Sequence, residues 1–405
     1  MAKVTLEDVK KAREVLNGVA NKTKLLECTT LSKMSKNRVF LKLENLQKTG
    51  SFKIRGAVNK IANLTEEEKK CGVIASSAGN HAQGVALGAK MNGIRATIVM
   101  PATAPLAKVA ATKSYGAEVV LNGLVYDDAY AKAIEIQKET GATFLHPFND
   151  PYVIAGQGTI ALEIFEDLEN VDIILAPIGG GGIISGIAVA AKALNPNVKV
   201  IGVQSENIGS MKASREAGKV TTYFKAPTIA DGIAVKTPGD LTFDIIQEYV
   251  DEIITVTEEE IAQAILFLME RDKIVSEGAG AVCTAAIMSG KIKETGKNVV
   301  GVVSGGNIDV NMVYRIIDKA LEKEGRRLCF NTILPDKCGE MLKLINLISE
   351  TKANILYINQ TRLGNDVVLG TQEVELVLET FDKNHMDEII GKIKSNGYEV
   401  KMKNK

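Results

Sequence analysis

One lysine in an unusual setting and three glycine-containing loops hold most of the chemistry this sequence can offer. Lys53 lies in Thr49-Gly50-Ser51-Phe52-Lys53-Ile54-Arg55-Gly56-Ala57, flanked by Phe52 and Ile54, where a helix is expected to begin. A cation at a helix N-terminus is disfavoured by the dipole. Desolvation also lowers an amine's pKa, so both effects free the neutral amine as a nucleophile toward a carbonyl. Gly179-Gly180-Gly181-Gly182 falls between an expected strand, Asp172–Pro177, and a helix starting at Ile183. Four glycines leave the backbone N–H groups unobstructed, and the helix N-terminus adds partial positive charge, which suits a phosphate. The run does not fit G-x-x-x-x-G-K-[ST], so triphosphate chemistry of the P-loop type is not supported. Nor does it fit G-x-G-x-x-G, because Ile184 or Ser185 stands where the third glycine belongs.

Ser76-Ser77-Ala78-Gly79-Asn80-His81 is a second strand end leading into a helix. Its hydroxyls, its amide and its N–H groups suit a carboxylate or another small anion. Ser and Asn in such a place also serve as a plain N-cap. Ser304-Gly305-Gly306-Asn307, directly after Val303, reads on its own as a turn. A lysine amine, a phosphate cradle and an anion-binding loop together point to pyridoxal 5′-phosphate with an amino-acid substrate.

The elements that must position these groups alternate regularly. Short apolar runs at Val73–Ser76, Ala96–Met100, Glu118–Leu121, Asp172–Pro177, Val198–Val203 and Asn298–Val303 are each separated by amphipathic segments. This is the signature of right-handed βαβ units and parallel sheets covered on both faces. Their number predicts two sheets, the second starting near Asp172. After the charged run Glu322–Arg327 the rhythm changes. Strands are expected at Leu328–Leu334, Ile355–Thr361, Val367–Leu378 and Tyr398–Lys401, with helices at Gly339–Ser349 and Met386–Lys394 and a turn at Gly364-Asn365-Asp366. That order, β-α-β-β-α-β, is ferredoxin-like. The expected division is therefore an α/β unit over 1–322, with a smaller subdomain at about 50–150, and a separate unit over 323–405.

Composition removes several function classes. The 405 residues carry 49 basic and 49 acidic side chains, and this balance argues against a nucleic-acid partner. The N-terminus is charged and lacks the apolar core of a signal peptide. No apolar stretch approaches the ~18 residues of a membrane span. The five cysteines are scattered and odd in number, so reduced thiols in the cytoplasm are expected. The three histidines form no cluster with them, so no metal site is expected.

Ser51-Phe52-Lys53-Ile54-Arg55-Gly56-Ala57, Ser77-Ala78-Gly79-Asn80-His81, the tetraglycine run and Ser304-Gly305-Gly306-Asn307 occur in the order and spacing of a known family. Over residues 5–320 the chain resembles the threonine/serine dehydratases, which are fold type II pyridoxal-phosphate enzymes with two subdomains of mostly parallel sheet. By that resemblance Lys53 carries the cofactor as a Schiff base and then acts as base at the substrate Cα–H. Phe52 packs against the cofactor ring, Asn80 bonds its 3′-oxygen and Ser304 meets its ring nitrogen. Gly179, Gly180, Gly181, Gly182 and the N–H of Ile183 hold the phosphate. Ser77, Ala78, Gly79, Asn80 and His81 take the substrate carboxylate. A hydroxyl at position 304 cannot keep the ring nitrogen protonated as an aspartate would, so the ring is a milder electron sink. That suits β-elimination over a long-lived carbanion.

The implied reaction takes L-threonine to 2-oxobutanoate and ammonia, and L-serine to pyruvate. A serine dehydratase, a serine racemase and a non-catalytic amino-acid sensor are the alternatives. Related racemases carry a serine where this chain has Ala78, which disfavours racemisation. Gln204 and Ser210 replace the acidic ligands of divalent-metal relatives. Residues 326–405 resemble an ACT domain, with Cys338-Gly339 where Pro-Gly is usual. That resemblance implies pairing across subunits in a dimer or tetramer, and allosteric response to an amino acid such as isoleucine or valine in isoleucine biosynthesis. An oligomerisation module without an effector is the competing reading.

Overall fold

The computed structural model describes residues 3–363 and 367–403. The chain forms two compact units, Met1–Ile308 and Asp309–Lys405. The first contains two sheets. The larger runs, in spatial order, Leu25–Glu27, Arg38–Leu43, Asn298–Val303, Ile173–Pro177, Lys199–Ser205 and Glu252–Val256. Every neighbouring pair in it is parallel except the first. The smaller runs Glu118–Leu121, Ala96–Met100, Val73–Ser76 and Thr143–Phe144, all parallel. Val73–Ser76 and Ile173–Pro177 are buried at every position, as strands covered on both faces must be.

The larger sheet does not begin near Asp172 as the sequence pattern predicts. Leu25–Glu27 and Arg38–Leu43 already belong to it, so the chain leaves that sheet, builds the smaller one and returns. Arg38–Leu43 pairs with the late strand Asn298–Val303, Leu43 opposite Val303. This register brings the segment carrying Lys53 beside Ser304. All three glycine-containing loops follow the C-terminal ends of strands, where open α/β sheets bind ligands.

Helix Lys53–Ala62 is anchored from its inner face by Arg55, which is 1% exposed. Its guanidinium donates to Glu44 at 2.8 and 2.9 Å and to Glu163 at 2.7 and 3.0 Å, and also to Thr159 Oγ1 and the Asn21 carbonyl. Lys42, fully buried, donates to Glu163 at 2.7 Å and to the Thr23 carbonyl at 2.6 Å. Two cations and two carboxylates thus cancel inside the core. Burial pushes the Glu44 carboxyl up, but Arg55 beside it holds the net value below the ordinary range.

The second unit has a four-stranded sheet in the order Asn354–Thr361, Thr371–Glu379, Arg327–Pro335, Lys401–Met402, antiparallel throughout. Helices Glu340–Glu350 and Lys383–Ser395 supply Leu344, Ile348, Ile389 and Ile393 to its core, against Leu328, Phe330, Val374 and Leu376. The β-α-β-β-α-β order is as expected, with two strand boundaries corrected. Thr371 rather than Val367 opens the third strand, because the Thr371 N–H closes a turn onto the Val368 carbonyl and Gly370 has φ +86°. Tyr398 is held to the preceding helix end, its N–H on the Ile393 carbonyl, so the last strand waits until Lys401. The expected turn at 364–366 lies outside the described residues. Helix Val310–Lys323 groups with this second unit; the boundary read from sequence, 322/323, lies at its far end.

Removing one partner from the buried network leaves the others uncompensated. Glu163→Ala is expected to cost about 3–5 kcal/mol, read as a lower denaturant midpoint in equilibrium unfolding. An unchanged midpoint would show that the network contributes nothing net.

Candidate active site

Lys53 is placed by backbone contacts on both of its flanks. Ser51 forms an antiparallel bridge with Gly305, and the Phe52 N–H donates to the Ser304 carbonyl at 3.1 Å. The Gly306 N–H donates to the Gly50 carbonyl at 2.8 Å. Gly50 has φ +70°, and a Cβ there would lie 2.3 Å from Asn307 Oδ1, so only glycine fits on both counts. Lys53 Nζ donates to the Pro147 carbonyl at 2.9 Å and sits 5.1 Å from the Phe52 ring centroid. Among the described residues no carboxylate is paired with it. Desolvation lowers the amine from 10.5 to about 8, and the more distant Glu277 offsets part of that shift.

Gly179, Gly180, Gly181 and Gly182 are all buried at the end of strand Ile173–Pro177. Gly181 adopts φ +99° as the cap of helix Gly182–Leu194, whose second residue is Ile183. A Cβ on Gly180 would meet the Phe148 ring at 2.4 Å, and one on Gly182 would meet Phe148 Cα at 2.9 Å. Thr242 Oγ1 donates to the Gly180 carbonyl at 2.6 Å, which fixes the loop's acceptor on the protein side. Among the described residues, the N–H groups of Gly179, Gly180 and Gly181 meet no backbone acceptor. Buried, unpaired donors at a helix N-terminus match what a phosphate requires.

The Ser76–His81 loop ends strand Val73–Ser76 and starts helix Asn80–Met91. Ser77 donates its N–H to the Val99 carbonyl, and its Oγ accepts from the Gly79 N–H at 3.2 Å. The N–H groups of Ala78, Asn80 and His81 meet no backbone acceptor among the described residues, which leaves them for an anion. The His81 ring is not among the loop's donors. It is buried with Nε2 2.8 Å from the Leu145 carbonyl, and desolvation, with Lys53 nearby, lowers its pKa to about 3. His81 therefore joins the loop through its backbone, while its neutral ring ties the helix to the Leu145–Phe148 segment. Ser304 is buried, and its Oγ donates to the Ala279 carbonyl at a long 3.4 Å.

Sequence reasoning missed several residues that hold these parts together. The Leu145–Asn149 segment takes the Lys53 amine on Pro147, packs Phe148 under the tetraglycine loop, and uses Asn149 Oδ1 to accept from the Leu241 N–H at 3.1 Å. His146 Nδ1 accepts from the Asn149 N–H at 2.8 Å, which folds the segment back on itself. Its legible trace is His146-Pro147-Phe148-Asn149-Asp150-Pro151, two prolines around a helix start. Glu277 is also buried, with Oε1 accepting from Asn80 Nδ2 at 2.7 Å. Desolvation and then Asp231 raise its carboxyl to about 7. Gln204, at the position expected to lack a metal ligand, is buried and occupied internally: its Oε1 accepts from the Lys212 N–H and its Nε2 reaches two carbonyls.

A desolvated amine thus lies among three loops, each from a different strand end and two of them lined with unpaired N–H donors. The residues present fit pyridoxal phosphate: an amine for its aldehyde, buried donors for its phosphate, an amide and a hydroxyl for its ring. Comparison with known proteins agrees. The profile of the family described as pyridoxal-phosphate dependent enzyme matches residues 16–305. The L-threonine ammonia-lyase of Thermotoga maritima is 54% identical over 399 residues, 98% of this chain and 99% of that protein. Maize serine racemase superposes with a TM-score of 0.75 at 36% identity, over 80% of this chain and 100% of that one. Processed threonine deaminase isoform 2 of Solanum lycopersicum also gives 0.75, at 37% identity, over 78% of this chain and 87% of that one.

Because Lys53 titrates near 8 rather than 10.5, its neutral fraction rises with pH through that value. The rate at which the cofactor-free protein captures an aromatic aldehyde is expected to climb through about pH 8 and then level off. A rate still climbing as for an ordinary exposed lysine would contradict the desolvated site.

Proposed function

The chain belongs to the pyridoxal-phosphate-dependent enzyme family, and from that premise we propose that it acts as an ammonia-lyase on L-threonine. The products are 2-oxobutanoate and ammonia, and L-serine gives pyruvate in the same way. The observation that carries this reading is the buried, desolvated amine of Lys53, held on the Pro147 carbonyl among three strand-end loops on the same scaffold as the ammonia-lyase relative. The bound cofactor supplies an electron sink that makes the substrate Cα–H acidic.

The chain's own residues do the rest. The N–H groups of Gly179, Gly180, Gly181, Gly182 and Ile183 hold the phosphate, and Phe52 flanks the ring. Asn80 donates to the 3′-oxygen. Ser304 offers the ring nitrogen a hydroxyl and no charge, which keeps the sink mild and favours loss of the β-hydroxyl over a persistent carbanion. The loop Ser77-Ala78-Gly79-Asn80-His81 receives the substrate carboxylate on its backbone donors. Lys53 Nζ, whose pKa desolvation lowers to about 8, takes the Cα proton as general base. The water lost with the β-hydroxyl is regained when the enamine product hydrolyses, so the balance is threonine to 2-oxobutanoate plus ammonia. Ala78 has no hydroxyl and offers no proton on the opposite face, which weighs against racemisation despite the racemase's equal superposition.

We read the second unit as an ACT-like regulatory domain that binds isoleucine or valine and pairs the chain into a homo-oligomer. Its ferredoxin-like sheet supports this. So does the maize racemase, whose whole chain covers 80% of this one. We place the enzyme in the cytoplasm, in isoleucine formation. Among the described residues no disulfide joins any of the five cysteines, and no helix is long and apolar enough to cross a membrane.

Purified protein loaded with pyridoxal phosphate should release 2-oxobutanoate and ammonia in equal amounts from L-threonine, and Lys53→Ala should abolish sustained turnover. Full multiple-turnover activity in that variant would remove Lys53 from the reaction. Deleting residues 326–405 should preserve turnover and eliminate any response to isoleucine or valine. An effector response that survives the deletion would place the effector site in the catalytic unit.

A further inference from the structure

Asn80 has partners at both ends of its side-chain amide. Its Oδ1 accepts from Asn307 Nδ2 at 2.7 Å, and its Nδ2 donates to Glu277 Oε1 at 2.7 Å. Asn307 Nδ2 also donates to the Thr49 carbonyl at 2.7 Å. A backbone carbonyl can only accept, so Thr49 fixes which end of the Asn307 amide is nitrogen. That nitrogen in turn demands the oxygen of Asn80. From the other side Glu277 Oε1 accepts from Asn80's nitrogen, the same orientation of the amide. An amide carries two N–H groups and one oxygen. With the oxygen and one N–H committed, a single N–H remains to donate.

We propose that Asn307 and Glu277 are positioning residues that lock the Asn80 amide so that its one remaining N–H meets the cofactor's 3′-oxygen. This rests on the reading of Asn80 as the donor to that oxygen. Without the lock, the amide would spend time turned over, with its own oxygen facing another oxygen. The lock also explains the neighbouring glycines. A Cβ on Gly50 would strike Asn307 at 2.3 Å, and one on Gly305 would lie 2.4 Å from Glu277 Oε1 and 3.1 Å from Asn80 Nδ2. The glycines of two motifs make room for this chain of amides, which joins the Lys53 segment, the Ser76–His81 loop and the Ser304–Asn307 loop.

The test uses the full-length protein with pyridoxal phosphate. It reads the cofactor's long-wavelength absorbance, which reports the charge on the 3′-oxygen, and the Kd from equilibrium dialysis. Asn80→Ala must change that absorbance; if it does not, the reading of Asn80 fails and the proposal falls with it. Given that change, Asn307→Asp, which turns an acceptor toward Asn80 Oδ1, should reproduce the altered spectrum and raise Kd about tenfold. Glu277→Leu should do the same, whereas Glu277→Gln, whose amide oxygen still accepts from Asn80, should keep the wild-type spectrum. Melting curves identify a variant that fails to fold, and if Asn307→Asp does, the contrast between Leu and Gln at position 277 decides alone. An Asn80→Ala change accompanied by wild-type spectra in the folded Asn307→Asp or Glu277→Leu proteins overturns the proposal and leaves the reading of Asn80 standing.

Discussion

Arg55 is a full charge with almost no access to water, and its place in the core decides where Lys53 stands. The two residues lie two positions apart near the start of one helix. Glu44 reaches Arg55 from the end of a strand of the larger sheet, and Glu163 from the long helix Pro151–Asp167. Burying such groups is costly unless geometry and hydrogen bonding are complete. Here Lys42, Thr23, Thr159 and the Asn21 carbonyl complete them. A helix held this way has little freedom to slide or rotate, so the amine two residues before Arg55 is placed by charge compensation deep in the fold.

Around that fixed amine three loops each follow the end of a buried strand, and two of them, Ser76–His81 and the tetraglycine run, leave N–H groups free where a helix begins. The loops come from two sheets. Val73–Ser76 of the smaller sheet delivers the anion loop, while Ile173–Pro177 and Asn298–Val303 of the larger deliver the tetraglycine and Ser304 loops. The Leu145–Asn149 segment binds them together, touching Lys53, His81, the tetraglycine loop and the Leu241 N–H within five residues. Burial away from water keeps His81 and His146 neutral and lowers the Lys53 amine to about 8, so that it gives up its proton more readily than an exposed lysine.

Much of this was legible in the sequence because it is local. Runs such as Ile173–Pro177 announce buried strands, and four consecutive glycines have few other reasons to exist. The ferredoxin-like order of the second unit was readable for the same reason, though Gly370 and the Gly397 helix end moved two strand boundaries. What escaped was long-range. Arg38–Leu43 joins the larger sheet with a lysine next to its end, and Glu163, 121 residues away, with the Thr23 carbonyl explains why Lys42 can be buried. The acceptor for Lys53 is a backbone carbonyl, a group every residue has. Glu277 resembles any other glutamate until the fold removes its water, and Asn307 looks like the end of a turn until Asn80 is placed beside it.

The most direct test of the account is to ask which lysine carries the cofactor. Borohydride reduction of the loaded protein fixes pyridoxal phosphate to its lysine, and peptide mass spectrometry then locates it. The account predicts a single phosphopyridoxyl mark, on Lys53. A mark on another lysine, or one spread over several surface lysines with Lys53 unmodified, would contradict it.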